Sequence, residues 1–155
     1  MDGILIEDIR IFKGLDSSEM DIVKNLLHVR EYGSNEVIYR EGDLGDGLSI
    51  IIKGRVRINK MTVEGDQFCI TTIKEGDIFG ILSFLDGSRH DATMVAEEPT
   101  RLMVLRKADL DSLQQSNPSI TSKILRELSI YLASMVRNMN RQYMDLMHLM
   151  FRKSK

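Results

Sequence analysis

The sequence predicts a mainly β protein, an antiparallel sandwich or barrel, with flanking helices and one long closing helix. Three observations carry that prediction. Between Val29 and Arg106, short β-branched runs alternate with closely spaced glycines. Ahead of them, Asp16 and Glu19 have the spacing of a helix N-cap and its reciprocal partner. Behind them, from Pro118 to Phe151, there is neither glycine nor further proline, and apolar residues recur every three or four positions.

Taken in order, Ile4 to Leu15 is short and apolar on one side. "DSSEMDIVKNLL" then starts a helix at Asp16, whose expected buried face is Ile22, Val23, Leu26 and Leu27. The β region follows, with strand candidates at Val37–Tyr39, Leu48–Ile52, Val56–Ile58, Phe68–Ile70 and Leu102–Leu105. His28 starts another, and "ATMVA" after residue 91 opens one more. Val56 and Ile58 alternate with Arg55, Arg57 and Asn59, the period of a half-buried strand. The glycines between the runs, among them Gly42, Gly54, Gly65, Gly76 and Gly87, are read as turn residues.

After "KADLDSLQQSNPS" the period changes again. Asn117 caps the last helix and Pro118 takes its first position, where a missing N–H costs little. Leu125, Leu128, Leu132, Met135, Met139, Gln142, Leu146 and Leu149 then form a heptad seam. Two uses are open to it: packing on the chain's own β region, or pairing with a second copy as a dimer helix. Gln142 on the seam would fix register at some cost in stability. Met144, Met147 and Met150 add an adaptable surface, suited also to a protein partner other than self.

Composition excludes several functions. The 155 residues suit one folded unit with an appended helix, divided here as 1–116 and 117–152. With 21 basic and 23 acidic residues, the net charge of −2 argues against a dedicated nucleic-acid binder. Cys69 is the lone cysteine, and no Cys/His cluster has zinc-ligand spacing, so no metal is expected. "MDGILIEDIRIF" lacks the basic start and apolar core of a signal peptide, and no apolar run reaches membrane-spanning length. A cytoplasmic protein without membrane contact is therefore expected. Ser, His and Asp come close only in Ser88-Arg89-His90-Asp91, and adjacency in sequence is not triad geometry, so no enzyme and no catalytic residue is expected. The tail Arg152-Lys153-Ser154-Lys155 is read as a solvated helix end.

Two glycine–acid clusters, "EGDLGDG" at 41–47 and "EGDIFG" at 75–80, repeat one theme. Their order and separation within "VIYREGDLGDGLSIIIKGRVRI…IKEGDIFGILSFLDGSRHDATMVA" resemble the cyclic nucleotide-binding domain family, which includes catabolite activator proteins and kinase regulatory subunits. The resemblance implies a double-stranded β-helix, a jelly-roll β-roll, followed by a long C-terminal helix. It covers nearly the whole chain, with Gly42, Asp43, Gly45, Asp46, Gly54, Gly76, Asp77, Phe79 and Gly80 standing at framework positions.

The family's phosphate-binding cassette typically reads FGE-x-A-LL-x-x-x-P-R-[ST]-A. Against it, Phe79, Gly80, Ser83, Phe84, Leu85 and Ala92 fit, while Ile81 stands for the ribose-binding glutamate, His90 for the phosphate-binding arginine and Asp91 for the hydroxyl beside it. A guanidinium offers phosphate a two-pronged charged contact, whereas histidine is mostly neutral at pH 7. Losing two charge-assisted hydrogen bonds costs about 3–6 kcal/mol, roughly 10²–10⁴ in affinity. The candidate pocket comprises Phe79, Gly80, Ile81, Leu82, Ser83, Arg89, His90, Asp91, Ala92 and Met135, with a floor at Ile81, Met135 and Val136.

Two functions are weighed, beside a minor third, a transcription-factor remnant that acts by heterodimerising with a full-length relative. One is a stand-alone dimeric regulatory module that binds cyclic AMP or cyclic GMP weakly or not at all. The other is a sensor of a cyclic nucleotide or other anionic small molecule, held by Arg89, His90 and the Gly80–Ser83 amides. Activator-type relatives continue into a DNA-binding domain where this sequence stops at Lys155, so no direct DNA binding is expected.

Overall fold

The computed structural model describes residues 4–152; the end of the basic tail, 153–155, lies outside the described residues. Two short 3-10 turns, Ile6–Asp8 and Arg10–Phe12, precede helix α1 (Ser17–Lys24). Eight strands follow: β1 (Leu27–Tyr32), β2 (Val37–Tyr39), β3 (Gly47–Lys53), β4 (Arg55–Met61), β5 (Gln67–Lys74), β6 (Ile78–Phe79), β7 (Thr93–Ala96) and β8 (Thr100–Arg106). Helix α2 (Ile81–Asp86) lies between β6 and β7, and α3 (Lys107–Ser116) and α4 (Pro118–Arg152) end the chain. None of these helices is long and apolar enough to cross a membrane.

The strands form two four-stranded antiparallel sheets, ordered β1-β8-β3-β6 and β2-β7-β4-β5. This is the jelly-roll β-roll that the sequence implied. The first sheet is covered on both faces. Leu48 and Ile50 of β3 and Leu105 of β8 face the helices, packing with Phe12, Val23, Ile124 and Leu128. Ile51, Leu102 and Val104, on the opposite face, meet Val56, Phe79 and Met94 between the sheets. The two-residue alternation of a strand divides these side chains between the two cores.

At α1 the capping box forms as expected: Glu19 N–H donates to Asp16 Oδ1 at 2.8 Å, and Asp16 N–H to Glu19 Oε2 at 2.9 Å. Its buried face differs from the expected one. Met20 and Val23 are buried while Ile22 is exposed, and Leu27 already belongs to β1. The helical period ends at Lys24, so it cannot be extended through Leu26 and Leu27.

"KADLDSLQQS" is a helix of its own, α3, resting on Leu110 and Leu113. The two glycine–acid loops share one construction. Asp43 Oδ2 accepts from Arg40 N–H and Asp77 Oδ2 from Lys74 N–H, each at 2.9 Å, around Gly42 and Gly76 at φ of 88° and 87°.

Helix α4 starts at Pro118, as expected. Ile120, Ile124 and Leu128 are buried against the β-roll, whereas Met135, Val136, Met139, Tyr143, Leu146 and Leu149 are exposed. At 1.5 Å per residue its 35 residues span about 52 Å, so the second half overhangs the fold.

Candidate functional site

The site is built around the turn from β6 into α2. Gly80 makes that turn at φ 78°, ψ 18°, a left-handed conformation, and a Cβ there would lie 3.1 Å from the Gly47 carbonyl oxygen. Ile81, Ser83 and Phe84 point inward from α2, while Leu82 and Leu85 are exposed. Gly87, also left-handed, donates its N–H to Ser83 O at 2.9 Å and ends the helix.

The loop after Gly87 is fastened to the first glycine–acid loop. His90 N–H donates to Asp43 O at 2.9 Å, and Gly42 N–H to His90 O at 2.8 Å. These bonds carry the His90 ring under Tyr39, where the two rings stack at 3.5 Å between centroids and 5° from parallel. His90 Nδ1 and Ser83 Oγ share a hydrogen bond of 3.1 Å, and both side chains are buried. Gly45 closes the back of this pair: a Cβ there would lie 2.5 Å from Ser83 Cβ and 3.1 Å from His90 Cε1.

Burial pushes the His90 pKa below its ordinary value of 6.5, and the charges of Asp43, Asp46 and Asp91 offset this only in part. At pH 7 the ring is therefore neutral. Burial likewise raises the Tyr39 phenol well above the usual tyrosine range.

In front of these groups lies a cleft of about 510 Å³ between the β-roll and α4. Ile58, Ile70 and Ile73 wall one side; Tyr131, Leu132, Met135 and Met139 of α4 wall the other. Of the candidate residues, Phe79, Gly80, Ile81, Leu82, Ser83, His90, Asp91 and Ala92 also line it. Two expectations fail. Val136 is 54% exposed and does not border the cleft, because it lies one residue round α4 from Met135. Arg89 does not border it either: its Nη1 donates to Gly42 O at 2.9 Å, on the solvent side of the loop.

Among the lining residues that sequence reasoning missed are Tyr39, Lys60, Ile70 and Tyr131. Lys60 was detectable, since it continues the inward Val56–Ile58 alternation with a charge. Its Nζ lies 3.2 Å from Glu41 Oε1 and donates to the Asp91 carbonyl. Among the described residues no three His, Cys, Asp or Glu side chains converge as a metal-binding group.

A β-roll with a glycine-turned helix opening onto a cleft against a long helix is the architecture of a regulatory domain. Residues 29–117, more than half of the chain, match the family model of the cyclic nucleotide-binding domain, and the chain belongs to that family. It is 29% identical over 114 residues to the cyclic AMP receptor protein of Thermus thermophilus, a match covering 74% of this chain and 53% of that one. It is 28% identical over 136 residues to the CRP-like cAMP-activated global transcriptional regulator of Mycobacterium tuberculosis, covering 88% and 59%. The chain thus spans between half and three-fifths of the length of these two curated relatives.

Among solved structures, the Thermus thermophilus catabolite activator protein superposes with a TM-score of 0.76 at 28% identity, covering 86% of this chain and 61% of that one. A cyclic nucleotide-binding domain from Methylobacillus flagellatus gives 0.75 at 27% identity, covering 80% and 70%.

Proposed function

We propose that the chain is a dimeric regulatory module, cytoplasmic and without catalysis of its own, whose pocket binds cyclic AMP and cyclic GMP weakly or not at all. The carrying observation is His90. Where the family's cassette has an arginine, this chain has a buried, neutral imidazole held between Tyr39 and Ser83. The nearest candidate substitute, Arg89, is turned to the Gly42 carbonyl, and Ile81 supplies no acceptor for a ribose hydroxyl. On this reading residues 1–116 carry the cassette side of the pocket, while 117–152 close it with Tyr131, Leu132, Met135 and Met139 and carry dimerisation through the part of α4 that overhangs the fold. The Met-rich surface of α4 is where a protein partner would read the domain's state.

Calorimetric titration with each cyclic nucleotide is the test. The expected outcome is binding roughly 10²–10⁴ weaker than a cassette that keeps both contacts would give; low-micromolar or tighter binding rejects it. The second reading, a sensor of another small molecule, is favoured by the open cleft itself, which reaches from His90 to Met135 and Met139 on α4.

A further inference from the structure

The charges around the cleft point away from any anionic ligand. Among the described residues Lys60 is the only cation lining it, and its ammonium is already taken up by the Glu41 carboxylate at 3.2 Å and the Asp91 carbonyl oxygen. Asp91 also lines the cleft, and its carboxylate forms no ion pair among the described residues. Asp43, Asp46 and Asp91 all act as negative charges on the His90 ring beside it. Aliphatic and sulfur side chains from β4, β5, α2 and α4 make up most of the remaining wall.

Resting on the reading that this pocket has given up phosphate binding, we propose that it takes an apolar amine instead. The hydrocarbon body lies between Ile70 and Ile73 on one side and Met135 and Met139 on the other, and the ammonium meets the Asp91 carboxylate. An apolar body gains from leaving water in proportion to the area buried. Asp91 is exposed, so ammonium and carboxylate meet at the mouth of the cleft, where water screens the attraction but a like-charged anion is still disfavoured. The unbranched methionine side chains of α4 adjust to the length of the alkyl or aryl group. Binding would therefore be registered on the helix whose second half stands clear of the fold.

Four ligands in turn test this on the full chain carrying ¹³C-methyl methionine: octylammonium, octanol, octanoate and cyclic AMP. Octylammonium is expected to move the methyl signals of Met135 and Met139, with Met20 in the core as an unmoved control. It should bind at least about tenfold more tightly than octanoate, the ratio that follows from one charge-assisted contact. In Asp91→Asn octylammonium should bind no more tightly than octanol, while octanol binding stays unchanged and reports an intact cleft. Octanoate binding as tightly as octylammonium overturns the proposal. So does a preference that survives Asp91→Asn, or no methyl movement with any of the three eight-carbon probes. Tight binding of cyclic AMP would reject the proposed function as well; no amine preference in the unsubstituted chain, with cyclic AMP still inert, would reject the amine pocket alone.

Discussion

At the scale of single residues, His90 is where the pocket's chemistry and the fold's stability meet. Its ring is stacked on Tyr39, bonded to Ser83 and shifted down in pKa by burial. The sign of the linkage follows directly. The unfolded chain takes up a proton near pH 6.5 that the folded chain accepts only at lower pH. Stability is therefore whole above that value, and falls as pH drops from there toward the depressed folded value. In His90→Gln the part of the pH dependence between pH 7.5 and 5.5 that belongs to this ring should vanish, although the variant is less stable at every pH. Thermal unfolding of both proteins across that range checks it; parallel curves would show that His90 is not the group responsible. Replacing His90 by arginine would place a longer, charged side chain beside Tyr39 and Ser83, in the space that Gly45 closes from behind. The histidine thus belongs to a fitted set of neighbours and is not a lone exchange in an otherwise unchanged cassette.

At the scale of elements, the helices differ in what holds them. Helix α1 is only eight residues long, too short to persist by propensity, and depends on its cap and its contacts. Glu19 serves twice, in the capping box and as the partner of Lys123 Nζ on α4 at 2.8 Å. Asp16→Ala should destabilise the protein by about 1 kcal/mol, the usual worth of an N-cap, measured by urea unfolding. A change within error would show that packing of Met20 and Val23 alone fixes the helix start.

The capping box was legible because it is local, two side chains three positions apart. So were β2, β3, β4, β5 and β8, whose β-branched runs sit between turn glycines, and the cassette's framework. Helix α3 was not legible, because it offers only Leu110 and Leu113 as a periodic signal between a strand and Asn117-Pro118. The pairing of Tyr39 with His90 was equally hidden: the two are brought together by backbone bonds between distant loops, a contact no local pattern encodes. Arg89 was misplaced for the same reason, since its acceptor is a backbone carbonyl of the facing loop.

At the scale of the whole molecule, the uncovered apolar surface is the overhang of α4. From Met135 to Arg152 the helix runs about 27 Å beyond its supporting contacts, with Val136, Met139, Tyr143, Leu146 and Met150 each more than half exposed. A row of that length exceeds what a monomer usually shows to water, and an isolated helix of that length is marginal. A second copy would cover it. Two seams on this face share Leu132, Met139 and Leu146. The seam expected from sequence continues through Met135, Gln142 and Leu149. The one turned further outward continues through Val136, Tyr143 and Met150, and is apolar or aromatic throughout. Light scattering at tens of micromolar should give the mass of a dimer. Met139→Glu with Leu146→Glu, which charges both seams at once, should give a monomer with an unchanged β-roll circular dichroism spectrum, because neither residue is buried within one chain. Single substitutions then separate the seams. If Tyr143 lies at the centre, Tyr143→Glu weakens the dimer at least about tenfold and Gln142→Leu leaves it unchanged; if Gln142 lies there, Gln142→Leu strengthens it, since a polar residue at such a position sets register at the expense of stability. A wild-type monomer at that concentration would reject both seams and leave the α4 overhang to a different protein partner.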